Sequence, residues 1–192
     1  MRRLQIAQEP GADGLLSRDP FALLVGMLLD QQFPMERAFA GPAVIAQRIG
    51  TPDRLDPAMI ASYDPHEFTA LMTGPPAVHR FPGSMGGRVQ ALARVVADAY
   101  GGDAEAIWRD VPDGPSLLTR LKRLPGFGDQ KARIFLALLG KQLSVRPPGW
   151  EAAAGAYAVE GTRRSVADVV DAQTLAEVRA FKQEAKAAAK AP

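Results

Sequence analysis

The stretch LPGFGDQKA, residues 124–132, places two glycines and a lysine where they could hold an anion. Gly126 and Gly128 permit positive φ and leave the backbone amides of the turn uncovered, so an anionic group can approach closely. Phe127 is expected to dock the turn, and Lys131 to reach the anion from the first turn of the following helix. The sequence predicts a phosphate-binding turn. The alternative is a glycine C-cap between antiparallel helices that holds no ligand.

The residues around this turn are strongly basic. The whole chain carries a formal net charge of +2, whereas residues 116–146 hold seven basic residues against the single acidic residue Asp129. The basic residues are Arg120, Lys122, Arg123, Lys131, Arg133, Lys141 and Arg146. Gln130 and Arg133, close to Lys131 in the chain, are further candidates for ligand contact. A local positive field predicts a polyanionic ligand, and the alternative is a solvated helix face.

A second group of polar residues, Asp30-Gln31-Gln32, follows an apolar stripe at the end of a predicted helix. Asp30 could supply a carboxylate to a pocket at this helix end. Gln31 and Gln32 could enter a stack of nucleic-acid bases or read the edge of a base. The alternative for all three is a polar helix end in contact with water.

Aromatic and basic residues occur together at two further places, Phe33 and the sequence His79-Arg80-Phe81. Such residues suit stacking on a base or wedging apart a base step, although aromatic residues at this spacing also form cores. Trp150 directly follows a Pro-Pro-Gly turn. It is expected either to wall a cleft or to plug the core.

The composition excludes several classes of chemistry. The chain has no cysteine, which rules out disulfides, thiolate catalysis and an iron–sulfur cluster. His66 and His79 are the only histidines and lack a paired metal-ligand spacing, so we predict no transition metal and no cofactor. The sequence shows neither a long apolar segment nor a hydrophobic signal core, so we expect a soluble cytoplasmic protein.

Helical periodicity and capping residues predict an all-α fold. Asp19-Pro20 opens the first predicted helix, and a second one is expected to bend or break at Gly41-Pro42. A capping box at Asp64 opens a third. Further helices are expected near residues 89–100, 117–124, 134–140, 150–157 and 165–190, the last capped by Ser165 and Asp168. Its lysines, Lys182, Lys186 and Lys190, form either a second phosphate-binding stripe or a solvated face.

Three blocks resemble the helix–hairpin–helix DNA glycosylases, the superfamily of the endonuclease-III-like and alkyladenine glycosylases. They are DPFALLVGMLLDQQ, GGRVQALARVVADAYGGD and LPGFGDQKARIFLALLG, and the resemblance covers residues 19–146 of a single unit spanning 1–192, with a C-terminal helical segment at 150–190. The resemblance implies two helical lobes with a cleft, no iron–sulfur cluster, and a monomer that contacts the phosphates of double-stranded, damaged DNA. A monovalent cation is common at the carbonyls of such hairpins. The cytoplasmic protein would then associate with the nucleoid when bound to DNA.

The sequence departs from this family where the family does its chemistry. The carboxylate expected after the second hairpin helix falls on Pro147 or Pro148, and the position of the family's nucleophilic lysine falls on Gln130. Lys131 comes one residue later, a rotation of about 100° on a helix, which favours a phosphate contact over a nucleophile. The candidate catalytic carboxylates are therefore Asp30 and Glu151, with Asp129 less favoured.

Three functions fit these residues. The first is a monofunctional DNA glycosylase in base-excision repair, with a relocated carboxylate and no Schiff-base lyase step. The second is a catalytically inactive DNA-binding module that recognises distorted or flipped nucleotides. The third is a protein-interaction domain in which the turn is only structural.

Overall fold

The computed structural model describes residues 3–189, which form helices and connecting turns without a β-strand. This confirms the predicted all-α class. The helices are α1 (Pro10–Arg18), α2 (Pro20–Leu29), α3 (Met35–Arg48), α4 (Pro57–Ser62), α5 (Pro65–Thr73), α6 (Pro82–Tyr100), α7 (Gly114–Lys122), α8 (Asp129–Gln142), α9 (Trp150–Ala154) and α10 (Ala172–Ala188). Short 3-10 helices lie at Ala104–Ile107, Gly155–Tyr157 and Val166–Asp168. Lys190 lies outside the described residues.

The predicted start of α2 is confirmed, and its cap also makes a tertiary contact. The Asp19 carboxylate accepts hydrogen bonds from the backbone amides of Phe21 and Ala22, which would otherwise lack partners. Its second oxygen accepts the amide of Leu55 at 2.6 Å. One local signal therefore begins the helix and also holds a distant loop against it.

Some predicted boundaries are wrong. The break expected at Gly41-Pro42 does not occur, since helix α3 runs through Pro42, where the preceding Gly41 packs closely against the side chains of Leu29 and Val78. Ser165 and Asp168 form a capping box, but it caps a 3-10 turn. The last helix begins later, at Ala172, where Asp171 is the cap residue and its carboxylate accepts the amide of Thr174.

Two helices and part of a third were not predicted from the sequence. Helices α1 and α4 are short, and α6 begins at Pro82, inside a segment that the sequence presented as a loop. This segment, residues 75–87, contains three glycines and three prolines, which are poor helix formers within a helix. Its helix is stabilised by packing, since Met85 and Gly86 are buried.

The helices pack around one continuous hydrophobic core. Helices α1–α3 pack on one another, and α4 and α5 pack on α6. In the C-terminal half, α7 and α9 pack on α8, as does the 3-10 helix Val166–Asp168, which also contacts α10. The edge of Trp108 meets the ring of Phe135 at 5.8 Å between centroids. Within residues 3–189, every helix is too short or too polar to cross a membrane.

Candidate functional site

The turn between α7 and α8, residues 123–128 (the hairpin turn), docks on the end of α2. Gly126 has φ of +81°, and a Cβ there would overlap the Leu28 side chain. Phe127 is buried and meets Phe135 edge-on at 5.8 Å. The docking role predicted for Phe127 is confirmed. Position 126 requires glycine, because its φ is positive and the Leu28 side chain fills the space that a Cβ would need.

Gly128 behaves differently from Gly126. Its φ is −69°, so the positive φ that the sequence suggested for both glycines occurs only at Gly126. Gly128 is the N-cap residue of α8, and no atom beyond its chain neighbours lies within 4 Å of where its Cβ would be. The first amides of α8 are therefore approachable from this side.

Lys131 points inward, toward α2. Its Nζ donates a hydrogen bond to the backbone carbonyl oxygen of Leu28 at 3.0 Å, and burial lowers the pKa of its amine to about 8. The phosphate contact predicted for Lys131 stays a prediction, and in this structure the amine turns toward the protein. The physical reason is the C-terminal end of α2, whose unpaired carbonyl groups attract a cation.

Asp30 lies beside this lysine, as the C-cap residue of α2. Its side chain is 11% exposed, and burial raises the pKa of its carboxyl group. Lys182 and Lys131 partly offset that rise, and the Nζ of Lys182 lies 3.7 Å from the Asp30 carboxylate. The structure thus brings together Asp30 and Lys131, which are about a hundred residues apart in the chain.

A second ion pair links the same surfaces. Arg179 of α10 pairs with Glu36 in the first turn of α3. The other carboxylate oxygen of Glu36 is buried and has no hydrogen-bond partner among the described residues. The negative charge of Glu36 also raises the pKa of Asp30. Helix α10 therefore places cations against both carboxylates, an arrangement that the sequence did not reveal.

The other two candidate carboxylates have different surroundings. Glu151 is exposed in the first turn of α9, and its carboxylate makes no hydrogen bond or ion pair within residues 3–189. Asp129 accepts hydrogen bonds from Lys122 at 2.9 Å and from Arg133 at 2.7 Å. Of the three candidates, only Asp30 is shielded from water beside the docked hairpin turn.

Several cations of the basic segment have internal partners. Lys141 is buried and pairs with Asp168 at 2.6 Å, which removes it from the surface. Arg146 donates to the carbonyl of Gly140 at 2.8 Å, and Arg120 donates to that of Ile107 at 3.3 Å. Near the hairpin turn, Lys122 and Arg133 pair with Asp129, and Arg123 has no side-chain partner within residues 3–189. The sequence therefore overestimated the positive field of this segment.

The glutamines predicted to bind a ligand are partly engaged within the protein. The side-chain amide of Gln130 donates to the hydroxyl of Tyr157 at 3.0 Å, and that of Gln31 donates to the sulfur of Met85 at 3.2 Å. Gln32 is exposed, with φ of +50°. This conformation is strained for a residue with a side chain.

The predicted aromatic group is assembled around His79. Its ring lies 4.7 Å from that of Phe33 and 6.1 Å from that of Phe81. Nδ1 accepts the amide of Phe81 at 3.0 Å, so Nε2 carries the proton that is donated to the carbonyl of Gln31 at 3.1 Å. Burial lowers the pKa of His79, which favours this neutral form.

Two arginines complete the aromatic group. The guanidinium of Arg37 lies over Phe33 at 4.9 Å, and that of Arg80 lies over Phe81 at 5.4 Å. Arg37 was not predicted from the sequence. Phe33 lies before the start of α3 and Arg37 lies in its first turn, so helical spacing alone does not predict that the two side chains meet.

Trp150 packs in the hydrophobic core. It is buried, and its ring covers Gly140 so closely that a Cβ there would overlap the indole. Its backbone lies equally close to Gly114 at the start of α7. Trp150 therefore fixes α9 against α8 through its indole ring and against α7 through its backbone. The ring does not wall an open cleft.

No protein-family model matches this chain, and no curated protein matches its sequence. The resemblance to helix–hairpin–helix glycosylases rests on the sequence blocks alone.

Proposed function

We propose that this protein binds double-stranded DNA through the hairpin turn and acts as a monofunctional DNA glycosylase in base-excision repair. The observation that carries the proposal is the position of Asp30, a buried carboxylate next to a turn suited to holding a phosphate. In this proposal, helices α1–α6 and α7–α10 form two lobes, and the target nucleotide enters between them.

The grip on DNA uses backbone amides and nearby side chains. The uncovered Gly128 lets a phosphate approach the start of α8, where the helix dipole favours negative charge. Lys122, Arg123 and Arg133 add positive charge around it. These contacts involve the DNA backbone, so binding is independent of base sequence and weakens as salt rises.

Asp30 would act as the general base on a flipped nucleotide. Its carboxylate takes a proton from water as the water oxygen bonds to C1′ of the sugar and the bond from C1′ to the base breaks. Before it accepts that proton, the negative charge of Asp30 stabilises the developing cationic sugar. The departing base carries away the bonding electrons and takes a proton from bulk water, and Asp30 afterwards releases its own proton to water. A raised pKa brings Asp30 closer to the working pH of a general base.

A second candidate is a DNA-binding module without chemistry. The observation that favours it is the pairing of Asp30 with Lys182, which competes for the carboxylate that the reaction needs. The prolines at 147 and 148 also leave the usual catalytic position of the resembled family without an acid. In this function the same surfaces recognise a distorted duplex and release it unchanged.

Duplexes carrying uracil, alkylated bases or oxidised bases separate the two candidates. After incubation with the protein, alkali breaks the strand wherever a base has been removed. We expect cleavage with at least one lesion and a loss of about a hundredfold or more in Asp30→Asn, with little change in the matched variant Glu151→Gln. Binding without strand breaks across all lesions would support the module, and a failure to bind would reject both. Borohydride should trap no covalent adduct.

A further inference from the structure

An open cleft of about 580 Å³ begins at Gln32, two residues after Asp30 in the chain. Its lining includes Gln32, Phe33, Arg37, His79 and Arg80. We call these residues, together with the neighbouring Phe81, the aromatic cleft. They come from the loop after α2, the start of α3 and the loop before α6, so the cleft joins segments that are far apart in the sequence.

Exposed aromatic surface is the first feature that indicates a ligand. Phe81 is 46% exposed, although a phenylalanine gains stability by being buried. Phe33 is only partly buried and lies next to it across His79. Nucleic-acid bases stack on such rings, and the stacking tolerates any base because every base has a π face.

Positive charge without an internal partner is the second feature. Arg37 and Arg80 are exposed, and neither forms an ion pair or a side-chain hydrogen bond within the described part of the chain. Each guanidinium lies over a ring, which orients it while leaving its N–H groups available to an anion. Aromatic faces edged by arginines complement a nucleotide, which combines a flat base with a charged phosphate.

Rigidity is the third feature. His79 ties both loops together, because it accepts the amide of Phe81 and donates to the carbonyl of Gln31. Gln32 holds a strained positive φ at the rim, and strain of this kind is concentrated at functional sites. The cleft is therefore pre-formed and linked directly to the loop that begins at Asp30.

From these features we propose that the aromatic cleft binds a nucleotide that has lost its pairing partner. The base stacks on Phe81 and Phe33, and the neighbouring phosphates pair with Arg37 and Arg80. This inference rests on the proposed DNA binding and extends it to a substrate class. The protein selects duplexes with an unpaired nucleotide over fully paired ones, whether or not a base is damaged.

Fluorescence anisotropy with three labelled probes tests the cleft. The probes are a fully paired duplex, the same duplex with one bulged nucleotide, and one of its strands alone. Wild type should bind the bulged duplex roughly tenfold more tightly than the paired one. Phe81→Ala and Arg80→Ala should remove most of that preference and weaken single-strand binding about tenfold, while binding of the paired duplex changes less than about twofold.

Matched controls separate the cleft from general effects of charge or exposed apolar surface. Met59→Ala removes a comparably exposed apolar side chain, and Arg94→Ala removes an exposed arginine of α6. Neither should alter the preference for the bulged duplex. If Phe81→Ala loses affinity equally for all three probes, or loses none, the proposal is overturned.

The outcomes also separate this inference from the proposed function. If wild type binds the paired and bulged duplexes equally, the cleft proposal fails while DNA binding stands. If wild type binds no duplex, the proposed function fails, and the single-strand probe alone judges the cleft. Single-strand binding that Phe81→Ala weakens would support it, and an absence of such binding would reject it.

Discussion

The amine of Lys131 donates a hydrogen bond to the backbone carbonyl oxygen of Leu28, which lies 103 residues earlier in the chain. This bond attaches the first turn of α8 to the last turn of α2. Asp30 is two residues beyond Leu28, so the same contact brings a buried carboxylate next to a buried amine. The hairpin and the carboxylate site are consequently one structural unit.

The buried amine predicts a dependence of stability on pH. The pKa of Lys131 is about 8 in the folded protein and returns to its ordinary value of 10.5 on unfolding. Between these values the unfolded chain binds more protons, so this residue's contribution to stability increases as pH rises. The groups that influence its pKa are Asp30, Arg88 and Lys182.

Urea unfolding of wild type and Lys131→Met at pH 8 and pH 10.5 measures this contribution. The stability of wild type relative to the variant should increase over the interval. Lys122→Met, which removes an exposed lysine, serves as the control and should show a smaller change. If the stability of wild type relative to Lys131→Met stays constant or decreases as pH rises, the lowered pKa of Lys131 is contradicted.

The two glycines of the hairpin turn should respond differently to alanine. Gly126→Ala forces positive φ on a side chain and overlaps Leu28, which should cost at least about 1–3 kcal/mol in the free energy of unfolding. Gly128→Ala has a permitted backbone and open space, so it should cost no more than about 1 kcal/mol. Its methyl group would instead stand before the amides of α8 and weaken DNA binding severalfold. Chemical denaturation and anisotropy measure the two effects, and equal stability of both variants would contradict the distinction.

Asp129 should limit DNA affinity. Its carboxylate holds Lys122 and Arg133 and places negative charge beside the proposed phosphate site. Asp129→Asn should therefore bind a paired duplex several times more tightly at low salt, with a gain that shrinks as salt rises. The control is Asp53→Asn, which removes another exposed carboxylate in an ion pair, far from the hairpin turn in the sequence. It should change DNA affinity less than Asp129→Asn does. Weaker binding by Asp129→Asn would indicate that the hairpin turn does not face the DNA.

Lys182 should tune the protonation of Asp30. Its positive charge opposes the rise in the Asp30 pKa that burial causes, so Lys182→Met should raise that pKa further. Carbon-13 NMR titration of the Asp30 carboxyl group measures the shift. Lys186→Met, one turn later on α10, is the matched control. If Asp30 is the general base, the pH at which glycosylase activity appears should shift upward in Lys182→Met by the same amount.

The sequence by itself determined the elements whose signals are local. Asp19 and Asp64 begin their helices by bonding amides two and three residues away, so their roles could be predicted from spacing alone. The Gly-Phe-Gly turn is only partly local. Residue type permits a positive φ at both glycines, but only Gly126, which lies against Leu28, adopts it. The absence of alternating apolar residues likewise indicated the all-α class before any helix was located.

Tertiary structure decided which charges are available and which carboxylate lies at the hairpin. Lys131 turns inward because the end of α2 arrives beside it, and Lys141 is buried because Asp168 meets it in the core. Lys182 lies 152 residues after Asp30 in the sequence, and only the fold brings the two side chains together. A side chain's burial and ionic partners are set by segments distant in sequence, and the helical pattern around a residue carries no information about what will pack against it.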